Sequence, residues 1–212
     1  MIRSALLCVV LALGGYAGAA WLTHDFQVWT AEGARRLDVA LAPVATPRVM
    51  AEGPGIAPQP LPQLLGPSDS VTVVDFIYTR CQTVCLSLGG VFQQMQAQLQ
   101  AAGPGDPGAS RVRLMSISFD ERDSTPDLQA YAHRLRADPQ WWRLVRIGNP
   151  LERQRLLAQF QVTVVPDGRG DYEHNAALLV IDRQGRLVRI FDYAEQQLAL
   201  DYARYLAGGG AG

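Results

Sequence analysis

Two cysteines in the run Cys81-Gln82-Thr83-Val84-Cys85 are the residues of this chain whose type and spacing most directly allow chemistry. Four positions apart on a helix, they face one way, with Cα atoms about 6 Å apart, inside the range that a disulfide bridges. Such a pair can close reversibly or hold a soft metal ion. The β-branched and aromatic run 71–78 before them reads as a buried strand interrupted only by Asp75. After them Leu86, Leu88, Val91, Phe92, Met95 and Leu99 recur at helical spacing, which predicts a helix to about residue 100. The thiols therefore fall at a strand-to-helix junction. The unpaired N–H groups and dipole of a first helical turn favour thiolate there, and Arg80 adds a positive neighbour. A structural bridge is the weaker reading, because closing so short a loop restrains little of the unfolded chain. Two inert core thiols are weaker still, since a helix N-terminus hides a thiol poorly.

The elements that must position this pair follow from periodicity and turn chemistry. Residues 112–119 alternate as a second apolar strand, and Ser124-Thr125-Pro126-Asp127 supplies the cap of a helix to residue 136. A short strand over 142–147 and a helix over 151–160 come next. A hairpin of strands 176–181 and 187–191 turns at Asp182-Arg183-Gln184-Gly185, and a last helix spans 195–206. The order βαβα, then βα, hairpin and helix, predicts an α/β thioredoxin-like domain with a central mixed sheet flanked by helices. Trp141 and Trp142 read as rim and core packing, with no basic groove around them.

His174 precedes the strand 176–181, and in this topology the loop entering that strand passes over the redox cysteines. It can close a third corner. Two thiolates and an imidazole make a three-coordinate soft site suited to Cu(I), whereas a closed zinc site needs a fourth ligand. Read from spacing alone, His174 is more often a surface or loop histidine than a ligand. His133 reads as a solvated helix residue and His24 as an interfacial one.

Residues 4–23 contain no charge, and a helix of that length spans about 30 Å, the thickness of a bilayer's hydrocarbon core. Arg3 before this run and Trp21 at its far edge orient it with the N-terminus inside and the remainder outside. The rival reading is a cleaved signal peptide, with Ala17-Gly18-Ala19 as a small-residue cleavage site. Cys8 lies within this run, which leaves Cys81 and Cys85 as the one intramolecular pair. The division expected is thus 1–23 as membrane anchor, 24–70 as a Pro-rich tether with a hairpin starting at Phe26, 71–206 as the thioredoxin-like domain and 207–212 as a tail. A formal net charge of −1 leaves no basic field for phosphate neutralisation, so nucleic acid is excluded as a partner.

Several local sequences share one family pattern. They are the apolar strand into Cys-x-x-x-Cys, the run Ser116-Ile117-Ser118-Phe119-Asp120-Glu121-Arg122-Asp123 with Thr125-Pro126, and Tyr172-Glu173-His174 before 176–182. Over about residues 71–192 the chain resembles the SCO (SenC/PrrC) family of copper chaperones and thiol–disulfide reductases that serve the binuclear copper site of cytochrome c oxidase. The resemblance implies Cys81, Cys85 and His174 as ligands of Cu(I) or Cu(II), the cysteines also forming a redox-active pair. It implies a copper metallochaperone in the bacterial inner membrane, single-pass, with its domain in the periplasm. The expected partner is the copper-site subunit of the oxidase or another extracytoplasmic copper or thiol protein. Leu86 stands where the family usually has Pro, and Glu173 where it commonly has Asp. The alternative function is a membrane-tethered thiol–disulfide oxidoreductase, or a copper or redox sensor, without copper delivery. His174 separates them, because thiol exchange needs no third soft ligand.

Overall fold

Strand β4 (Val71–Ile77) is buried along its whole length because apolar side chains leave it on both faces. Val71, Val73 and Ile77 join one core, and Val74 and Phe76 join the other. A strand of this kind must be central, with layers on either side. The computed structural model, which describes residues 2–23, 25–65, 69–80, 84–102, 105–168 and 170–210 with the side chains of 84–88 excepted, places it so. Parallel to β4 run β5 (Val112–Ser118) and then β6 (Trp142–Arg146). On its other side β9 (Ala177–Ile181) is antiparallel and pairs with β10 (Arg186–Asp192). The turn between them forms as expected, Asp182 accepting from the N–H groups of Gln184 and Arg186.

Helix α4 (Val84–Ala102) crosses from β4 to β5, with the four-residue α5 (Pro107–Ser110) after it. On that face α4 packs with α6 (Thr125–Arg134) and the C-terminal α8 (Gln196–Ala207), while α7 (Pro150–Gln159) covers the other. The cap of α6 is as expected: Ser124 and Asp127 form a reciprocal capping box, with Pro126 in the first turn. Trp142 is buried and donates its indole N–H to Ser116 Oγ at 2.9 Å. This mixed sheet flanked by helices is the thioredoxin-like arrangement expected.

Residues 24–70, expected as an extended tether, instead carry secondary structure that joins the domain. The alternation from Phe26 does not start a hairpin. Thr30 accepts from the Gly33 N–H at 3.0 Å and caps α2 (Ala31–Leu41), whose Arg35 donates to the carbonyl of Phe160. Strand β1 (Val44–Ala45) pairs with β10, and β2 (Met50–Gly53) forms a hairpin with β3 (Ile56–Pro60) and pairs with β6, followed by α3 (Leu61–Leu65). The sheet order is β1-β10-β9-β4-β5-β6-β2-β3. The prolines are compatible with this because Pro58 and Pro60 lie on β3, an edge strand with one unpaired side. Gly53 permits the approach of β2 to β6: a Cβ there would overlap the Leu144 carbonyl.

Helix α1 (Ile2–Leu22) has 21 residues, an 18-residue stretch of it has a mean hydropathy of 2.0, and none of its residues is buried against the rest of the chain. By length and composition it can cross a bilayer. His24 lies outside the described residues.

Candidate metal and thiol site

β4 leads toward Cys81 through Tyr78, Thr79 and Arg80, and each of the three is held by a segment distant in sequence. Thr79 donates its N–H to Asp123 Oδ2 at 2.9 Å and its hydroxyl to Asp123 Oδ1 at 2.6 Å. The Ser118 hydroxyl, at the end of β5, donates to the same carboxylate at 2.6 Å. Arg80 donates to Asp120 Oδ2 at 2.8 Å, and the Tyr78 hydroxyl donates to Asp171. The loop following β5 therefore grips the approach to the first cysteine.

Asp120 has a fully buried side chain between two guanidinium groups. Arg122 donates to it through its backbone N–H at 2.9 Å, Nε at 3.0 Å and Nη2 at 2.9 Å. Burial by itself would raise the Asp120 carboxyl. The bonds from the Arg122 side chain and backbone and from Arg80 outweigh it and hold the carboxyl below the usual range. Arg122 also lies 5.3 Å over the Tyr172 ring and donates to the Gly170 carbonyl, tying this loop to the next element.

That element is a two-stranded hairpin apart from the main sheet, β7 (Val164–Pro166) with β8 (Tyr172–His174). His174 is the last residue of β8, opposite Val164. Its ring packs edge-on at 5.1 Å from Phe119, and Phe119 packs at 5.3 Å from Tyr78 and 5.5 Å from Tyr172. Both imidazole nitrogens are shielded from solvent. His174 thus stands on a strand end in an aromatic wall that continues through Phe119 and Tyr78 toward residue 80, rather than in a free loop.

Cys85 is the second residue of α4, so its backbone lies in the first turn of the helix as expected. Cys81 and the Cys85 side chain lie outside the described residues, and among the described residues no three His, Cys, Asp or Glu side chains group to hold a metal. What the structure brings together is the His174 hairpin and the segment 78–80 that runs into Cys81. His133 is exposed on α6, away from this wall, and Cys8 is exposed on α1. Reading residue types and spacing assigned no role to Asp120, Asp123, Asp171 or the Tyr78–Phe119–Tyr172 rings. Their signal was the density of carboxylates and aromatics around 119–123 and 171–172, which gains meaning only from tertiary contact.

A sequence model described as SCO1/SenC matches residues 67–205, more than half of the chain. No curated protein sequence matches. Many solved structures share the fold. A SCO1/SenC family lipoprotein from Bacillus anthracis is 21% identical, with TM-score 0.66 over 78% of this chain and 98% of that one. BsSco, described with a disulfide switch and as a member of the Sco family of cytochrome c oxidase assembly proteins, is 17% identical, with TM-score 0.65 over 79% and 96%. ScoI of Bradyrhizobium japonicum, solved with copper bound, is 24% identical, with TM-score 0.57 over 76% and 99%. The family match takes in the strand-to-helix junction, the loop after β5 and the β7–β8 hairpin, and the chain belongs to the SCO1/SenC family.

Proposed function

We propose that this chain is a copper metallochaperone that takes copper as cargo through Cys81, Cys85 and His174 for assembly of the cytochrome c oxidase copper site. The observation that carries this reading is the placement of His174. A hairpin from late in the chain sets its shielded imidazole against Phe119, which in turn packs on Tyr78 of the segment that leads to the cysteines. The donor set fits the cargo: two thiols four positions apart in sequence and an imidazole suit Cu(I), and the imidazole adds affinity for Cu(II). Copper in the Bradyrhizobium relative and the oxidase-assembly description of BsSco support the same direction. We place the chain in a bacterial inner membrane through α1, with the domain in the periplasm.

The test is copper stoichiometry of the wild type and of Cys81→Ala, Cys85→Ala and His174→Ala, under reducing and oxidising conditions. Either cysteine variant is expected to lose copper, and His174→Ala to lose Cu(II) first. Full retention of both oxidation states by His174→Ala would remove that residue from the site.

Thiol–disulfide exchange at the same two cysteines is a second reading. Cys85 falls in the first turn of α4, where a helix N-terminus favours thiolate, and BsSco is described with a disulfide switch.

A further inference from the structure

Arg113 and Arg143 are the second residues of β5 and β6. The strands are parallel, with Met115 opposite Arg143, so the two arginines are diagonal neighbours across the pair. Both leave the sheet on the face opposite Val112, Leu114, Trp142 and Leu144, which fill the core under α4. β4, β5 and β6 run the same way, and β4 reaches Cys81 from its C-terminal end. The arginine pair therefore occupies the end of the sheet remote from the cysteines.

Neither guanidinium has a carboxylate partner among the described residues. Arg113 is half-buried, lies 5.4 Å over the Trp141 ring and donates through Nη1 to the carbonyls of Ser110 and Val112, both at 2.8 Å. Arg143, also half-buried, donates through Nε to the Pro139 carbonyl at 3.4 Å. The remaining N–H groups of both are uncommitted among the described residues, whereas nearby Arg111 is paired with Asp69. Burial and the Arg143 charge draw the Arg113 guanidinium down from its ordinary value, as expected of two like charges held together without an anion.

The two side chains line a recess of about 370 Å³ together with Gln59 of β3 and Gln63 of α3. Arg143, Gln59 and Leu64 also line a second recess of about 730 Å³, so the two adjoin. The second lies between the β2–β3 hairpin, the end of α6 and β6, and its wall combines Ile56, Leu64 and Trp142 with His133 and Arg136. Among the described residues no Asp or Glu lines either recess, although the chain has 20 acidic residues against 19 basic ones. A net charge near zero thus conceals a local cationic concavity with the dimensions of a small-molecule site. Arg136 is an independent sign. It follows the C-cap of α6 with a φ of 52°, the left-handed position that glycine fills without strain. Gln96 of α4 fixes that turn, donating to the Arg136 carbonyl at 3.1 Å and accepting from the Asp138 N–H at 2.8 Å. An arginine strained where glycine would not be is accounted for by the recess its side chain lines.

We propose that the adjoining recesses bind an organic phosphate monoester, its phosphate between Arg113 and Arg143 and its apolar body against Ile56, Leu64 and Trp142, beside Arg136 and His133. Two guanidiniums with uncommitted N–H groups match the oxygens of a phosphate, and its two negative charges balance theirs, where a carboxylate brings one. The side-chain amides of Gln59 and Gln63 supply further donors to the same oxygens. The apolar wall of the larger recess favours an ester over the inorganic ion, because an apolar body leaves water there.

The test titrates the full chain in uncharged detergent with phenyl phosphate, followed by calorimetry. Saturable binding is expected, about tenfold tighter than that of inorganic phosphate. Arg113→Gln and Arg143→Gln should each weaken it about tenfold. Arg189→Gln removes the same charge from an exposed position on β10, outside both recesses, and should leave it unchanged. Arg136→Gly relieves the left-handed backbone, so it should fold at least as stably as the wild type and still bind about threefold more weakly. Dioleoyl phosphatidate mixed into the micelles presents the same monoester: displacement of phenyl phosphate by it assigns the site to a lipid headgroup, and no displacement assigns it to a soluble ester. Absence of saturable binding by both compounds overturns the proposal. So does an unchanged affinity in Arg143→Gln, or an equal loss in Arg189→Gln, and these hold even should Arg113→Gln not fold.

Discussion

Asp123 commits both carboxylate oxygens to Thr79, one to its backbone N–H and one to its hydroxyl, at 2.9 and 2.6 Å. A residue of the loop after β5 thereby fixes the chain two positions before Cys81. The carboxylate is 2% exposed, so these bonds work in a weakly screened setting.

Asp123→Ala should therefore lower stability by about 3 kcal/mol, the cost of leaving buried donors without a charged acceptor. Copper affinity should fall with it, because segment 78–80 loses its anchor, and Asp123→Asn should be milder because one acceptor remains. Urea midpoints and copper titrations of the two variants check this. A wild-type midpoint in Asp123→Ala would contradict the account.

Gly53→Ala should separate stability from site chemistry. The new Cβ would overlap the Leu144 carbonyl where β2 meets β6, and Glu52 on β2 pairs with Arg146 at 2.8 Å. Parting these strands should cost about 2 kcal/mol, in the range of overpacked cores. Copper stoichiometry should not change, since this edge of the sheet contributes nothing to the wall around His174.

The strand-to-helix junction was legible because β4 is an uninterrupted apolar run apart from Asp75 and the apolar residues of α4 recur with helical period. The Ser124 capping box and the Asp182–Gly185 turn were legible because local side chains make them. The strands β1 to β3 were not, since strands of two to five residues set among prolines and glycines have no two-residue alternation to read. The β7–β8 hairpin was missed for a related reason: three residues on each side, with Tyr172-Glu173-His174 mostly polar, give no strand pattern. At the site, Cys85 and His174 stood out by residue type and spacing. The grip of Asp123 on Thr79 joins residues 44 apart, and no local pattern announces it.

α1 should hold the chain in the membrane fraction through alkaline washing, because its 21-residue helix is uncharged after Arg3 and covers about 30 Å of hydrocarbon. A fragment beginning at Thr23 should fractionate as soluble. Recovery of natural protein beginning near Ala20 in the soluble extracytoplasmic fraction would favour a cleaved signal peptide instead.

Two buried carboxyls should shape stability against pH with opposite signs. Asp75 has its folded carboxyl raised from 3.8 to about 7, so its contribution is fully present below the unfolded value and is lost as pH rises through the folded one. The loss between those limits is at most about 4 kcal/mol at roughly 1.4 kcal/mol per pH unit. Asp120 is held below the usual range by Arg122 and Arg80, so its contribution is present above the ordinary carboxylate value and is lost as pH falls through the lowered one. Urea midpoints from pH 3 to 8 should therefore fall on the alkaline side in the wild type, and Asp75→Asn should flatten that limb and be the more stable protein at pH 8. Asp120→Asn should weaken the protein mainly above pH 4 and lose part of the acid limb. If Asp75→Asn leaves the slope between pH 4 and 7 as it is in the wild type, the carboxyl does not titrate in the interior and this account of the alkaline limb fails.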